Sequence, residues 1–458
     1  MEQPTIRQGF VFRLRTKAKH EASLRRWDGC CRKIWNLALA EQQARYARGE
    51  KYLGFARMCN RVTAWRKDPE LAYLKDPPVH VLQSVLRRLD KAYQDFFKKK
   101  GGYPKFKRYG DPIGLHEPDV KCFEIDNANG RVKFPKLGWI RYRKSRNIEG
   151  TPKNITIKRA GGGWQVSIQT ERQGLIRSTA TAIGAGDRGI TNFLATDTGR
   201  LEPPRDAHTK SLLRLRRYQR ACARKSEAAK KAAGFPKNKP FPKGFRLACS
   251  NRLKRAQARV AKMHCKIAAR RSDFLHKLST EIAKCHAIFC LEDLKVKNMS
   301  ARARGNAEAP GKNFKQKTGL NRSILDQGWA MWAGQVKYKL ERRGGRLVLV
   351  NPAHTSQKCS LCGHIHADHR KGEAFRCLTC GHIDHADVNA AKNILAAGLA
   401  VLAGDGIRPD SGCADVEDSV QPDRPAKRQP TFAEGRNAPS DFGSWNPRPS
   451  RVCAAAKN

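Results

Sequence analysis

Four cysteines carry the sharpest chemical signal in this 458-residue chain. Cys359 and Cys362 form one C-x-x-C knuckle, CSLCGH, and Cys377 and Cys380 form a second, CLTCGH, with 14 residues between the pairs. A C-x-x-C turn points two thiolates at one centre, and a glycine after the second cysteine permits the tight reversal; two such knuckles make a tetrahedral zinc site. Five of the 13 histidines lie between His364 and His385, so a mixed set stays open, although two matched knuckles favour four sulfurs. A site closed by four protein ligands has no open position, so the zinc is expected to be structural.

Three acids form the second signal. Asp187 ends an apolar stretch, Glu292 ends Ala287–Leu291, and Asp387 opens DVNAAKNIL. Acids at strand ends and a helix start can converge at one edge of an α/β sheet. Three carboxylates in one place repel one another unless cations lie between them, and two Mg²⁺ roughly 4 Å apart would answer that and hydrolyse a phosphodiester. Taken singly, Asp187 also fits a turn residue, Asp387 a helix N-cap and Glu292 a surface acid. Acids are scarce, 41 in the whole chain, which weighs against three matched coincidences. Asp293, Asp384 and Asp197 rank below them.

The third signal interleaves cations with rings: Lys98, Lys99, Lys100, Tyr103, Lys105, Phe106, Lys107, Arg108 and Tyr109. Cations meet phosphates while aromatic faces stack on bases; a solvated charge run beside a packing cluster is the bland alternative. Further basic runs span Arg214–Lys231 and Arg252–Lys266. With 91 Lys and Arg against 41 Asp and Glu, the formal charge is +50, and a polyanion is the natural partner.

The elements that must position these groups follow from periodicity. Phe10, Phe12 and Leu14 alternate with Val11 and Arg13 as a strand, and helical spacing then takes over through residues 24–38 and 79–96. Short strands are expected over Lys121–Ile125, Arg131–Phe134, Asn154–Arg159 and Trp164–Gln169, the last two joined by Gly161-Gly162-Gly163. Strands near 181–196, a helix over roughly 248–284, the strand Ala287–Leu291, a helix near 328–343, the strand 346–350 and a final helix near 387–402 give the order of an RNase H-like core. The small run Gly184-Ala185-Gly186 is expected to loosen its strand.

The expected fold class is α+β and multidomain. A small β-barrel takes residues 1–18 and 110–178, a helical insertion 19–109, an RNase H-like domain 179–354 and 383–402, a zinc-binding insert 355–382, and a disordered tail 403–458. The tail carries 8 basic and 8 acidic residues and 7 prolines, so the whole excess charge lies before it. No apolar run approaches about 18 residues, which speaks against a membrane span. Residues 1–15 place charges where a signal peptide needs an apolar stretch. A cytoplasmic, nucleoid-associated protein is expected, with its 15 cysteines as thiols or ligands and not disulfides.

With these residues assembled, the chain resembles the TnpB family, the OrfB-type proteins of small insertion sequences and compact relatives of type V CRISPR effectors. The matching segments are GDRGITNF (186–193), LEDLKVKNM (291–299), NPAHTSQKCSLCG (351–363) and FRCLTCGHIDHADVNAAKNI (375–394), with weaker ones at 31–41, 81–97 and 103–108. The resemblance implies an RNA-guided DNA endonuclease that binds guide RNA and double- and single-stranded DNA. It takes neither a membrane nor a small-molecule substrate. One RuvC-like site would cut both strands at targets set by guide pairing and a short flanking motif. It carries Asp187, Glu292 and Asp387 over as the catalytic, magnesium-binding acids, and Cys359, Cys362, Cys377 and Cys380 as zinc ligands. Arg376, beside a zinc ligand, is a candidate phosphate contact, with a plain surface arginine as its alternative. The rival readings are a CRISPR-encoded effector, a transposase that joins DNA ends, and a non-catalytic zinc-containing binder. A transposase commonly carries a helix-turn-helix, and the sequence offers no convincing one.

Overall fold

The computed structural model describes residues 5–111, 113–161, 163–174, 180–204, 207, 209–235, 249–301 and 313–404. The expected disordered tail from residue 405 onward and Gly162 of the glycine turn lie outside these. The described strands form three sheets in a chain that divides into two compact units.

The first unit opens with β1 (Thr5–Arg15), which buries Phe10, Phe12 and Leu14 and exposes Val11, as the alternation requires. Three helices follow: α1 (Ala18–Ala47), α2 (Phe55–Lys67) and α3 (Val79–Phe97). Leu24, Trp27, Cys31, Ile34 and Ala38 recur every three to four residues on α1 and join Val81, Leu82, Val85, Leu86 and Leu89 of α3 in one core. The chain then returns as β2 (Leu115–Glu117), β3 (Glu124–Asp126), β4 (Arg131–Phe134), β5 (Gly138–Tyr142), β6 (Thr151–Ala160) and β7 (Gly163–Gln173). They build a seven-stranded sheet in the order β2-β6-β7-β1-β5-β4-β3, with β1 antiparallel to both β7 and β5. The expected strand at Lys121–Ile125 begins later than its sequence suggests. Asp119 accepts a hydrogen bond from the Lys121 backbone at 2.9 Å, and this local bond holds Val120–Cys122 in a tight helical turn.

The second unit is built on β8 (Ile183–Asp187), β9 (Leu194–Thr196) and β10 (Leu201–Glu202). The chain passes through α4 (Leu212–Ala232) and the 35-residue α5 (Asn251–Cys285), both of which begin in the first unit, to β11 (Ile288–Glu292). Next come the short α6 (Val296–Met299), α7 (Phe314–Gln327), α8 (Trp329–Glu341) and β12 (Arg346–Val350). These strands form a five-stranded sheet, β10-β9-β8-β11-β12, in which β8, β11 and β12 are parallel and β9 and β10 antiparallel. On one side, Leu275, Leu278 and Ile282 of α5 pack with Phe193, Phe289 and the fully buried Trp332.

A three-stranded sheet, β13 (Arg370–Lys371), β14 (Ala374–Arg376) and β15 (Ile383–His385), carries the cysteine knuckles and leads into α9 (Ala386–Gly404). Ile394 and Leu402 of α9 pack on Ala185, Cys290, Val348 and Val350. The helix lies so close that a Cβ at Gly398 would stand 2.2 Å from the Cys290 sulfur. Gly184 and Gly186 serve the same tight packing: a Cβ at either would meet His286 or Leu194 at 2.5 Å. The expectation that these small residues loosen β8 is therefore corrected, since they are what lets neighbours close on it.

Two further expectations change. Among the described residues α9 is long and apolar enough, by length and composition, to cross a membrane, yet more than half of it is buried against the sheet. Cys249 is disulfide-bonded, against the reading of every cysteine as thiol or ligand. That reading rested on compartment, which sets the redox poise and not the state of each cysteine.

A candidate acid cluster beside a four-cysteine centre

β8 and β11 are adjacent and parallel, with Leu291 opposite Gly186, so the two strands end side by side on Asp187 and Glu292. α9 begins at Ala386 and places Asp387 in its first turn. His385 accepts the Asp387 backbone N–H at 3.2 Å, which leaves the Asp387 side chain free of capping duty. Its Oδ2 accepts from Asn192 at 3.3 Å and its Oδ1 from Arg370 at 2.8 Å. A Cβ built on Gly189, two residues past Asp187, would lie 3.7 Å from Asp387 Oδ2.

Asp187 feels both of the other carboxylates. Burial, then the neighbouring charges of Glu292 and Asp387, push the Asp187 carboxyl up to about 7, with Arg370 opposing. Arg188 is buried among the acids and donates to the Glu292 backbone carbonyl, while its Nε has no hydrogen-bond partner. Thr355 donates its hydroxyl to Glu292 Oε1. The acids are spaced more widely than the cysteines and are not among the sets whose ligand atoms close to within 4.8 Å. Clustered hard oxygen donors that raise one member's pKa fit a divalent ion such as Mg²⁺, which would offset the repulsion.

The four cysteine sulfurs do close to within 4.8 Å of one another. Cys359 and Cys380 stand 3.7 Å apart, and Cys362 and Cys377 3.5 Å. Zn–S bonds of about 2.3 Å give a tetrahedron with edges of about 3.8 Å, so the quartet fits zinc. The Cys377 thiol is pushed down to about 6, first by the Cys380 backbone N–H that donates to its sulfur, so one thiolate is ready at neutral pH.

α9 couples the two centres. Asn389 holds the knuckle loop through Lys358 O at 2.8 Å and the Ser360 N–H at 2.9 Å. Asn393 donates to Thr355 O at 2.9 Å and to Lys358 O at 2.7 Å. The same helix thus carries one acid, supports the threonine that binds a second, and grips the zinc knuckle. Thr355, Arg370, Asn389 and Asn393 were not singled out from the sequence. The sequence signal for Thr355, Asn389 and Asn393 was membership of the segments that carry the family resemblance, whereas Arg370 lies outside them.

The lower-ranked acids have other duties. Asp197 accepts the Ala185 backbone N–H at 2.8 Å, Asp293 pairs with Lys295, and Asp384 pairs with Lys392 at 2.8 Å. Arg376 is exposed on β14, and the arginine of the insert that reaches an acid is Arg370.

In the first unit, Lys98, Lys99 and Lys100 are exposed just past α3, as are Tyr103, Lys105, Phe106 and Arg108. Trp35 donates to Lys105 O at 3.0 Å, Asn36 brackets Lys107 through both its backbone groups, and the Lys107 ammonium sits 4.8 Å over the Trp35 ring. Tyr103 stacks edge-on to Phe96 and is hydrogen-bonded to Tyr93 at 3.1 Å. The basic and aromatic segment is a fixed ledge along α1, with partly free rings and cations.

A two-unit α+β protein that sets a four-thiol metal site beside a cluster of three carboxylates is the class defined by this geometry. The OrfB_IS605 family model, described as "Probable transposase", matches residues 166–303, and a Cas12f1-like TNB domain model matches 329–394. A model described as a helix-turn-helix domain matches residues 1–51, where the sequence alone offered no convincing one. The structure there has β1 followed by the unbroken 30-residue α1. InsQ of Escherichia coli (strain K12), named as an RNA-guided DNA endonuclease, is 38% identical over 427 residues, 93% of this chain and 97% of its own. A Streptomyces pristinaespiralis protein named in the same way is 30% identical, over 88% of this chain and 92% of its own. A Cas12f1–sgRNA–target DNA complex solved by cryo-EM matches at a TM-score of 0.49 and 15% identity, covering 85% of this chain and 99% of that one. The chain belongs to the TnpB (OrfB) family.

Proposed function

We propose that the protein is an RNA-guided DNA endonuclease that hydrolyses DNA phosphodiesters at the Asp187, Glu292 and Asp387 cluster. The observation that carries this reading is the Asp187 carboxyl, raised to about 7 by burial and by the two other acids. Such mutual repulsion is characteristic of sites assembled for a function, and divalent cations relieve it. Relatives aligned over nearly their whole length carry the same activity in their names.

Asp187, Glu292 and Asp387 would hold Mg²⁺, which when bound supplies the activation of water and the neutralisation of charge on the phosphate. The protein's own groups position the acids. Thr355 fixes one oxygen of Glu292, Arg188 anchors the Glu292 backbone, and Asn192 and Arg370 orient Asp387. The strand order β10-β9-β8-β11-β12 with α9 against it supports an RNase H-like, RuvC-type reading of this unit. The seven-stranded sheet supports a wedge-like role, and the intervening helices a recognition lobe. Both would lie on guide RNA and on double- and single-stranded DNA through the Lys98–Arg108 ledge and the basic groove of Tyr218, Lys225, Arg252, Arg255 and Arg259. A formal charge of +50 supports a long polyanionic partner and a nucleoid location.

The test is purification from cells carrying the native locus, with sequencing of the co-purifying RNA. The RNA-loaded protein is then assayed for plasmid cutting with and without Mg²⁺, wild type against Asp187→Ala. A defined RNA and Mg²⁺-dependent cutting lost in the variant are expected. Absence of any defined RNA, or cutting that survives Asp187→Ala, overturns the reading.

A further inference from the structure

We propose a second metal site in the first unit, formed by His80, Asp119 and Cys122 with the buried Glu117 beside His80, and suited to a zinc-like divalent cation. The ligand atoms of His80, Asp119 and Cys122 all lie within 4.8 Å of one another. Cys122 Sγ is 3.7 Å from His80 Nδ1 and 3.6 Å from Asp119 Oδ2, and His80 Nδ1 is 3.3 Å from Glu117 Oε1. A tetrahedral zinc with Zn–S near 2.3 Å and Zn–N or Zn–O near 2.0 Å has S···N and S···O edges of about 3.5 Å and an N···O edge of about 3.3 Å. The two sulfur edges fall on those values within about 0.2 Å, and Glu117 Oε1 lies at 3.3 Å from the imidazole beside the set.

The second observation is Glu117. It is fully buried, and its Oε2 has no hydrogen-bond partner. An orphaned buried carboxylate oxygen is costly if ionised, and a nearby cation would compensate it. Its other oxygen faces His80 and accepts the Asp119 backbone N–H at 3.3 Å. Asp119 spends Oδ1 on the Lys121 N–H at 2.9 Å, which leaves Oδ2 turned to the cysteine. The tight turn at Val120–Cys122 is what brings the sulfur under the imidazole.

One nitrogen, one sulfur and one carboxylate, with a second carboxylate beside them, make a borderline donor set. It suits zinc and does not suit Mg²⁺, which prefers oxygen ligands. The site joins the start of α3 to the β2 end of the seven-stranded sheet, closing a loop from residue 80 to 122. The metal would clip the helical insertion to its sheet, far in sequence from the knuckles at 359–380.

Metal analysis of the full-length protein tests this, after equilibration with excess zinc and removal of the unbound fraction. Two zinc ions per chain are expected, falling to one in Cys122→Ser and in Cys362→Ser, and to none in the double variant. Cobalt loaded into Cys362→Ser should show a thiolate-to-cobalt charge-transfer band that vanishes when Cys122→Ser is added. Glu117→Gln keeps the shape and guards against misfolding: it should hold its circular dichroism spectrum and weaken the second equivalent at least tenfold. One zinc per chain in the wild type, or two retained in Cys122→Ser, overturns the proposal.

Discussion

Arg370, on the first strand of the zinc insert, donates a hydrogen bond to Oδ1 of Asp387 at 2.8 Å. A guanidinium therefore occupies the oxygen that a divalent ion would claim. Removing it should have two opposite effects. The metal-free protein loses a charge that offsets acid–acid repulsion, so Arg370→Ala should melt lower without divalent ions. The competing cation is gone, so the half-saturating Mg²⁺ concentration should fall several-fold. Thermal melts across a Mg²⁺ titration read both, and an unchanged half-saturation would refute the competition.

Asp187 makes the metal-free protein sensitive to pH. Its folded-state pKa is raised from the usual 3.8 to about 7, so the folded chain binds this proton more tightly than the unfolded chain. The associated stability is fully present below about pH 4 and is lost as pH rises through about 7. Asp187→Asn should flatten that decline. Denaturant midpoints of both proteins in chelator from pH 4 to 8 measure it, and parallel curves would contradict the assignment.

Thr355 fixes Glu292 through a bond to a charged acceptor, typically about 1.5–3 kcal/mol. Thr355→Val keeps the shape and removes the donor. Cutting should fall about 10-fold or more while the zinc content stays unchanged. Retention of full activity would show that Glu292 is held well enough by its backbone.

The lysines at 98, 99 and 100 should act through phosphate contacts. With all three changed to Gln, affinity for duplex DNA should drop at low salt, and the slope of log K against log salt should decrease by up to about 3. A wild-type slope in the triple variant would assign these lysines to plain solvation.

Much of this was legible because it is local. The alternation Phe10, Phe12, Leu14, the α1 and α3 stripes and the C-x-x-C pairs each lie within a few residues, and each sits in the structure where its pattern implied. The strand ends at Asp187 and Glu292 were also visible, as apolar runs closed by an acid. Other features were not local. α2 and α7 carry too mixed a pattern to stand out, and the turn at Val120–Cys122 depends on one side-chain bond from Asp119. Gly184 and Gly186 looked permissive until Leu194 and His286 were seen against them. The partnerships of Thr355 with Glu292, Arg370 with Asp387 and His80 with Cys122 join residues 17 to 63 positions apart, and no periodicity records such pairings.

Asn389 and Asn393 tether the knuckle loop to the helix that bears Asp387, so a zinc ion held by the four cysteines would set the alignment of an acid it never touches. Starvation for that trace element should then leave a molecule that still grips its target yet has lost the ability to sever it. Nutrient supply would govern the blade while sparing the handle.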